Sequence, residues 1–336
     1  MNATPAPLIE IKAVSKRFER RPDLAERAAR LMRPGAGVRA VRALDQVDLA
    51  VREGEVVGLV GESGCGKSTL GRIVARALHP SEGERLWKGR PYAEYDNAHA
   101  RRERLAVQMI FQDPSASLNP RMRIVDIVGE APVVHGLVRR RDRDDYVAGL
   151  LQRVGLDPAT MRRFPHQFSG GQRSRIGIAR ALAVDPRFLV CDEAVASLDV
   201  SVQAQVLNLF ARLREELRLT YLFISHDLGV IRYLSDRVVV MYLGRVVESA
   251  DASDLFAQPN HPYTRALVAE LPRTDLRRRE YVPIRGEIPS PMDPPAGCHF
   301  HPRCPHAFER CRREAPALRA VGSAHFSACH LNETHP

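Results

Sequence analysis

The sequence predicts an α/β protein built on a parallel sheet, and three observations predict it. Residues 56–60 read Val-Val-Gly-Leu-Val, a short β-branched run leading straight into a glycine-rich stretch and then into apolar residues at helical spacing. From Phe188 onward, apolar runs of strand length alternate with helical patterns several times, the order that lays helices on both faces of a parallel sheet. The chain has 336 residues, 44% of them hydrophobic and 27% charged, enough for one large core or two modest ones. That composition excludes a disordered or membrane-embedded protein.

In chain order, apolar residues alternate from Leu8 to Val14, which predicts a half-buried strand. Leu24, Ala28 and Leu31 then lie at helical spacing, closed off by Pro34, Gly35 and Gly37, and residues 22–40 read as an inserted surface flap. Alternation resumes at Val47, Leu49 and Val51, and a turn at Glu53 and Gly54 precedes the buried run 56–60. The helix that follows is expected to run through Leu70, Ile73, Val74 and Leu78. Residues 115–185 carry helical periods broken by Pro120, Pro132, Pro158 and Pro165, which predicts an inserted helical subdomain. Strand and helix then alternate from Phe188 through residue 243. After Asn260 prolines crowd the chain and four of its six cysteines appear, so the expected division is 1–259 and a small Cys-rich extension, 260–336.

Gly61, Gly66, Lys67 and Ser68 occupy the fixed positions of a phosphate-binding loop, G-x-x-x-x-G-K-[ST], with Glu62, Ser63, Gly64 and Cys65 between them. The glycines let backbone N–H groups turn inward around phosphate oxygens, and the following helix presents its positive end. Lys67 is expected to reach the β- and γ-phosphates, Ser68 to bind Mg²⁺, and Thr69 to donate to the α-phosphate. A second apolar run, residues 188–191, ends in Asp192 and Glu193. Asp192 at the carboxyl end of a strand can hold Mg²⁺ through water, and Glu193 can act as general base for an attacking water. Ser169, Gly170, Gly171 and Gln172 stand at the mouth of a further helix, a second anion-binding terminus. One site has no use for both termini, but two chains arranged head to tail can use both.

These motifs together resemble the nucleotide-binding subunit of ATP-binding cassette (ABC) transporters. The resemblance implies a P-loop NTPase core with an antiparallel β subdomain, ATP and Mg²⁺ as ligands, and ATPase activity. It implies that Ser169, Gly170, Gly171 and Gln172 of one subunit cap the ATP held by another. Gln112 matches the loop glutamine that senses Mg²⁺ and contacts the membrane subunits, Asp199 the aspartate at the dimer interface, and His226 the histidine that bonds the γ-phosphate. Phe18 lies where the family often stacks an aromatic ring on adenine, with the flap intervening. Ala194 and Ala196 depart from the family's usual proline and serine, and neither change removes a charge or a ligand.

The stretches 260–272 and 285–311 are similar to the C-terminal region of oligopeptide and dipeptide importer ATPases, a group that includes nickel and glutathione importers. The resemblance implies a second ATPase subunit, two membrane permeases and an extracytoplasmic peptide-binding protein as partners. Cys298, Cys304, Cys311 and Cys329 are spaced too loosely for most zinc knuckles, and a reducing cytoplasm disfavours disulfides. Members of the group carry a [4Fe–4S] cluster on such a tail, which makes the cluster the expected occupant, with zinc or no metal as alternatives. Cys65 and Cys191 read as small packing residues.

The net charge of +10 first suggests nucleic acid, but it divides as +3, +4 and +3 over residues 1–60, 61–259 and 260–336. Without a basic stripe or an aromatic platform, no nucleic acid is expected. No segment approaches the roughly 18 apolar residues of a spanning helix, and the amino terminus lacks the order of a secretory signal. The expected location is the cytoplasmic face of the cytoplasmic membrane, as a peripheral subunit. Two other readings stay open: a separate ABC ATPase acting on DNA or the ribosome, and a regulatory subunit with a degenerate site.

Overall fold

The computed structural model describes residues 6–19, 40–91, 97–113, 117–271 and 286–333, so most of the flap expected at 22–40 lies outside the described residues. Strands β1 (Ile9–Glu19), β2 (Ala40–Val51), β4 (Glu82–Trp87) and β5 (Arg90–Pro91) form one antiparallel sheet in the order β2-β1-β4-β5. The other sheet holds β3 (Val56–Val60), β6 (Val107–Ile110), β7 (Phe188–Asp192), β8 (Thr220–Ile224), β9 (Arg237–Tyr242), β10 (Arg245–Asp251), β11 (Arg319–Gly322) and β12 (His325–Ser327). Its order is β11-β12-β10-β9-β3-β8-β7-β6.

From β9 to β6 this sheet is parallel, but β10, β12 and β11 pair antiparallel. The sheet is therefore mixed, which corrects the expectation of a parallel one. The cause is local: only Leu243 and Gly244 join β9 to β10, both at positive φ (40° and 80°), a two-residue hairpin turn rather than the long crossover that parallel neighbours need.

The central strands are apolar on both faces because each face has its own core. Val56 and Val60, Tyr221 and Phe223, and Val238 and Val240 belong to one buried cluster; Val57 and Leu59, Leu222 and Ile224, and Val239 and Met241 belong to the other. The second cluster also takes Leu70, Ile73 and Val74 of α1 (Lys67–Val74) and the inward residues of β1 and β2. The first takes the helices α3 (Ile124–Val134), α4 (Arg143–Arg153), α5 (Gly170–Leu182), α6 (Val200–Leu217) and α7 (Leu228–Leu234), whereas α2 (Asn97–Ala106) precedes β6. Helix α1 is shorter than expected: it ends at Val74, and Leu78 N–H already turns back to the Arg72 carbonyl. Helix α3 contains Pro132 and ends two residues later, at Val134, as expected of a residue that removes a backbone donor from the helix.

Residues on the two sides of position 260 share a sheet and a core. Beyond α8 (Ala252–Ala257), helix α9 (Pro262–Ala269) buries Tyr263 and Leu267 in the first cluster, and β12 pairs with β10 at Glu248 and Ser249. Buried Glu248 ties these parts together: its carboxylate accepts from Asn260 N–H (2.7 Å) and His261 N–H (2.8 Å) and meets His325 Nε2 at 2.7 Å. The last helix, α10 (Glu309–Arg313), carries Cys311.

Candidate active site

Strand β3 delivers Gly61 to the head of the phosphate loop, and two glycines there have no substitute. Gly61 (φ 148°) would place a Cβ 2.2 Å from the Met241 carbonyl oxygen, and Gly66 (φ 106°) would place one 2.3 Å from that of Ala43. Both contacts are with backbone, which cannot swing aside. Helix α1 opens at Lys67 with Gly66 as N-cap and no side-chain cap, so its first N–H groups are left for a ligand. Lys67 is 5% exposed, and its Nζ donates to the carbonyls of Gly61 (2.7 Å) and Glu62 (2.9 Å). Ser63 and Gly64 are exposed, Thr69 is half-buried, and Cys65 is buried with its thiol pushed up by desolvation.

At the carboxyl ends of β7 and β8 five polar side chains meet: Ser68, Gln112, Asp192, Glu193 and His226. Ser68 Oγ donates to Asp192 Oδ1 at 2.9 Å, and Asp192 is 3% exposed. Burial pushes its carboxyl up, against the lowering influence of the Ser68 hydrogen bond and the charges of Arg72 and Lys67. Glu193 is held at φ 49°, a left-handed conformation costly for a residue with a Cβ, with its N–H on the Ile224 carbonyl at 3.0 Å. Its Oε2 accepts from Gln112 Nε2 at 2.7 Å, and its Oε1 lies 3.4 Å from His226 Nδ1. Gln112, expected to sense Mg²⁺, donates here to Glu193.

Ser169 and Gln172 form a reciprocal capping box: Ser169 Oγ accepts from Gln172 N–H (3.3 Å), and Gln172 Oε1 accepts from Ser169 N–H (3.0 Å). Ser169, Gly170 and Gln172 are exposed, as are Asp199 and its neighbour Val200. These residues face outward and touch none of the five side chains above by hydrogen bond or ion pair among the described contacts. Phe18 is exposed under the Lys16 ammonium, 5.3 Å from its ring centre. Its strand pairs Lys16 with Leu44, whose side chain abuts Gly66, so Phe18 sits on the strand pair beside the phosphate loop.

Two contributors to this region escaped the sequence reading. Tyr263 of α9 accepts from Glu62 N–H at 2.8 Å, and Arg303, between Cys298 and Cys304, grips the Glu62 carboxylate with both terminal nitrogens. The only hint was that both stand in stretches resembling importer tails; nothing local pairs positions 241 residues apart.

Cys298, Cys304, Cys311 and Cys329 are all free thiols. Burial pushes Cys298 up to about 11, and Cys311, Cys329 and Cys304 add to that effect. Cys304 and Cys329 are raised in the same way. Among the described residues, however, no three His, Cys, Asp or Glu side chains are drawn together as a metal ion requires.

A phosphate loop opening α1, a strained glutamate after β7 held by a glutamine and a histidine, and a second glycine-mouthed helix define an ATP-binding cassette ATPase. Comparison with known proteins agrees. The ABC transporter family profile matches residues 44–196, and that of the oligopeptide/dipeptide transporter C-terminal region matches 247–311. The chain is 47% identical over 328 residues to the oligopeptide transport ATP-binding protein AppF of Bacillus subtilis, covering 96% of this chain and 97% of that one. It is 46% identical to a putative peptide import ATP-binding protein of Brucella ovis, covering 97% and 98%. Among solved structures it resembles the dimeric, post-hydrolysis ATP-binding cassette MJ0796 bound to ADP and phosphate, with a TM-score of 0.61 and 26% identity over 73% of this chain and 98% of that one. The chain belongs to the ABC transporter family of peptide-import ATP-binding proteins. Among the described residues no helix is long and apolar enough to cross a membrane.

Proposed function

We propose that this ATPase energises peptide uptake from the cytoplasmic face of the cytoplasmic membrane, paired with a second ATPase subunit, two permeases and an extracytoplasmic peptide-binding protein. The observation that carries the reading is Glu193, fixed between Gln112 and His226 one residue beyond the Ser68–Asp192 pair. Asp192 and Ser68 supply the hard oxygen donors that suit Mg²⁺, with Gln112 nearby, and the buried Asp192 carboxylate is in want of a cation. Mg²⁺ bound there would offset charge on the β- and γ-phosphates.

Lys67 exchanges the Gly61 and Glu62 carbonyls for phosphate oxygens when ATP enters, and α1 meets the phosphates end-on. Glu193 takes the proton of the attacking water as the bond to the γ-phosphorus forms and the bridging oxygen departs with ADP. His226 donates a hydrogen bond to the γ-phosphate, and Phe18 stacks on adenine. Ser169, Gly170, Gly171 and Gln172 come from the partner ATPase, and exposed Asp199 and Val200 lie at the seam. Residues 112–130 form the surface that meets the permeases, and residues 260–336 form the importer-type extension.

The four tail thiols belong to the same reading as candidate ligands of a [4Fe–4S] cluster, with zinc as the alternative. Either would have to draw them closer together. Iron and zinc content after anaerobic purification, with and without Cys304→Ser, decides between them.

The test of the reading is ATP hydrolysis by the assembled transporter in proteoliposomes. Peptide-loaded binding protein is expected to stimulate turnover several-fold. Stimulation by nickel- or glutathione-loaded binding protein alone would replace peptide as cargo, and copurification with nucleic acid instead of permeases would overturn the transport reading.

A further inference from the structure

The phosphate loop carries an electrostatic anomaly. Glu62 follows Gly61 directly, so a carboxylate stands in a loop whose task is to gather a polyanion, and left alone it would repel the phosphates. It is not left alone. Arg303 Nη1 donates to Glu62 Oε2 at 2.6 Å and Nη2 to Oε1 at 2.8 Å, a fork-to-fork pair, and Arg303 is only 8% exposed. The guanidinium is braced from behind, with Nη1 also donating to the Tyr242 hydroxyl at 3.3 Å. The guanidinium lies over the Tyr242 ring, which Tyr263 and Phe300 meet edge to face with ring centres 4.8 and 5.2 Å away.

The backbone of the same residue is fixed on both sides. Tyr263 Oη accepts from Glu62 N–H at 2.8 Å, and the Glu62 carbonyl accepts from Lys67 Nζ at 2.9 Å. Side chain and N–H of one loop residue are thus held by residues beyond position 260, while its carbonyl is held by Lys67 until phosphate oxygens take its place.

We infer that Arg303 is a positioning residue of the nucleotide site, which cancels the charge of Glu62 and fixes the loop so that its amides and Lys67 meet the phosphates. The C-terminal extension then supplies part of the ATP site in cis. This rests on residues 61–69 being the nucleotide site.

The two parts of the role separate by substitution. Arg303→Gln leaves Glu62 charged and unpaired beside the phosphates. The expected result is MgATP binding to the full-length chain about tenfold weaker by calorimetry, with KM raised alike and kcat within about twofold of the parent. Adding Glu62→Gln removes the exposed charge, so the double variant is expected to recover to within about threefold of the parent affinity. A purely structural arginine would show no such recovery. Arg303→Lys keeps the charge without the fork and serves where Arg303→Gln does not fold; it is expected to bind MgATP about threefold more weakly. Parent affinity in a folded Arg303→Gln or Arg303→Lys variant, or a double variant as weak as Arg303→Gln, overturns the proposal. Lys67→Ala is the control. If it binds MgATP like the parent, the nucleotide-site reading itself fails and takes the proposal with it.

Discussion

Glu193 is where backbone and chemistry meet in a single residue. Its left-handed φ of 49° is strain that the neighbouring structure must hold in place, through its N–H on Ile224 and its carboxylate between Gln112 and His226. Glu193→Gln preserves the shape and the Gln112 contact but removes the base. Steady-state ATP turnover is expected to fall by roughly 10²- to 10³-fold while MgATP still binds, and unchanged turnover would show that the base lies elsewhere. The candidate residues of this site could be picked out in the sequence because each motif is compact. Gly61 to Thr69, Asp192–Glu193 and Ser169 to Gln172 each lie within one strand end or helix mouth, and the weak acidic pair gains its weight from the phosphate loop upstream. The Glu62–Arg303 pair was not legible, because a carboxylate and an arginine 241 positions apart share no local pattern.

At the scale of elements, the buried strands were read correctly as runs because every residue of β3, β7 and β8 is buried. Strands β11 and β12 carry no such signal: they are four and three residues long, and β11 is exposed throughout. Helix α9 offers a test of how its start is built. His261 caps it, with Nδ1 accepting from Tyr263 N–H at 3.1 Å, and burial pushes its pKa down to about 3. An unfolded histidine titrates near 6.5. Between those values the unfolded chain holds a proton that the folded chain refuses, so stability is lost as pH falls from about 6.5 toward 3, by about 1.4 kcal/mol per pH unit from this residue. His261→Asn keeps an acceptor at the cap and removes the titration. Urea midpoints at pH 6.5 and 5 are expected to differ less in the variant than in the parent; an equal difference would mean that His261 is not held neutral.

Over the whole molecule, the extension adds its own strands to the sheet of the cassette. The division expected near residue 260 came from a change in composition, whereas β12 lies against β10 and Glu248 bonds to Asn260, His261 and His325. The pairing also shields a strand from solution. In a chain stopped at residue 259, the edge of β10 that β12 covers at Glu248 and Ser249 would lie open, with Val246 and Val247 beside it, to any other chain in solution. Light scattering at rising concentration is expected to show such a fragment self-associating where the full chain stays monodisperse, and a monodisperse fragment would refute this. What closes the edge in the full chain is three-residue β12 and then four-residue, exposed β11, with Arg319 on it, a border too brief to recruit another strand readily. The last strands of the sheet are thus the part of the molecule that guards its edge against other chains.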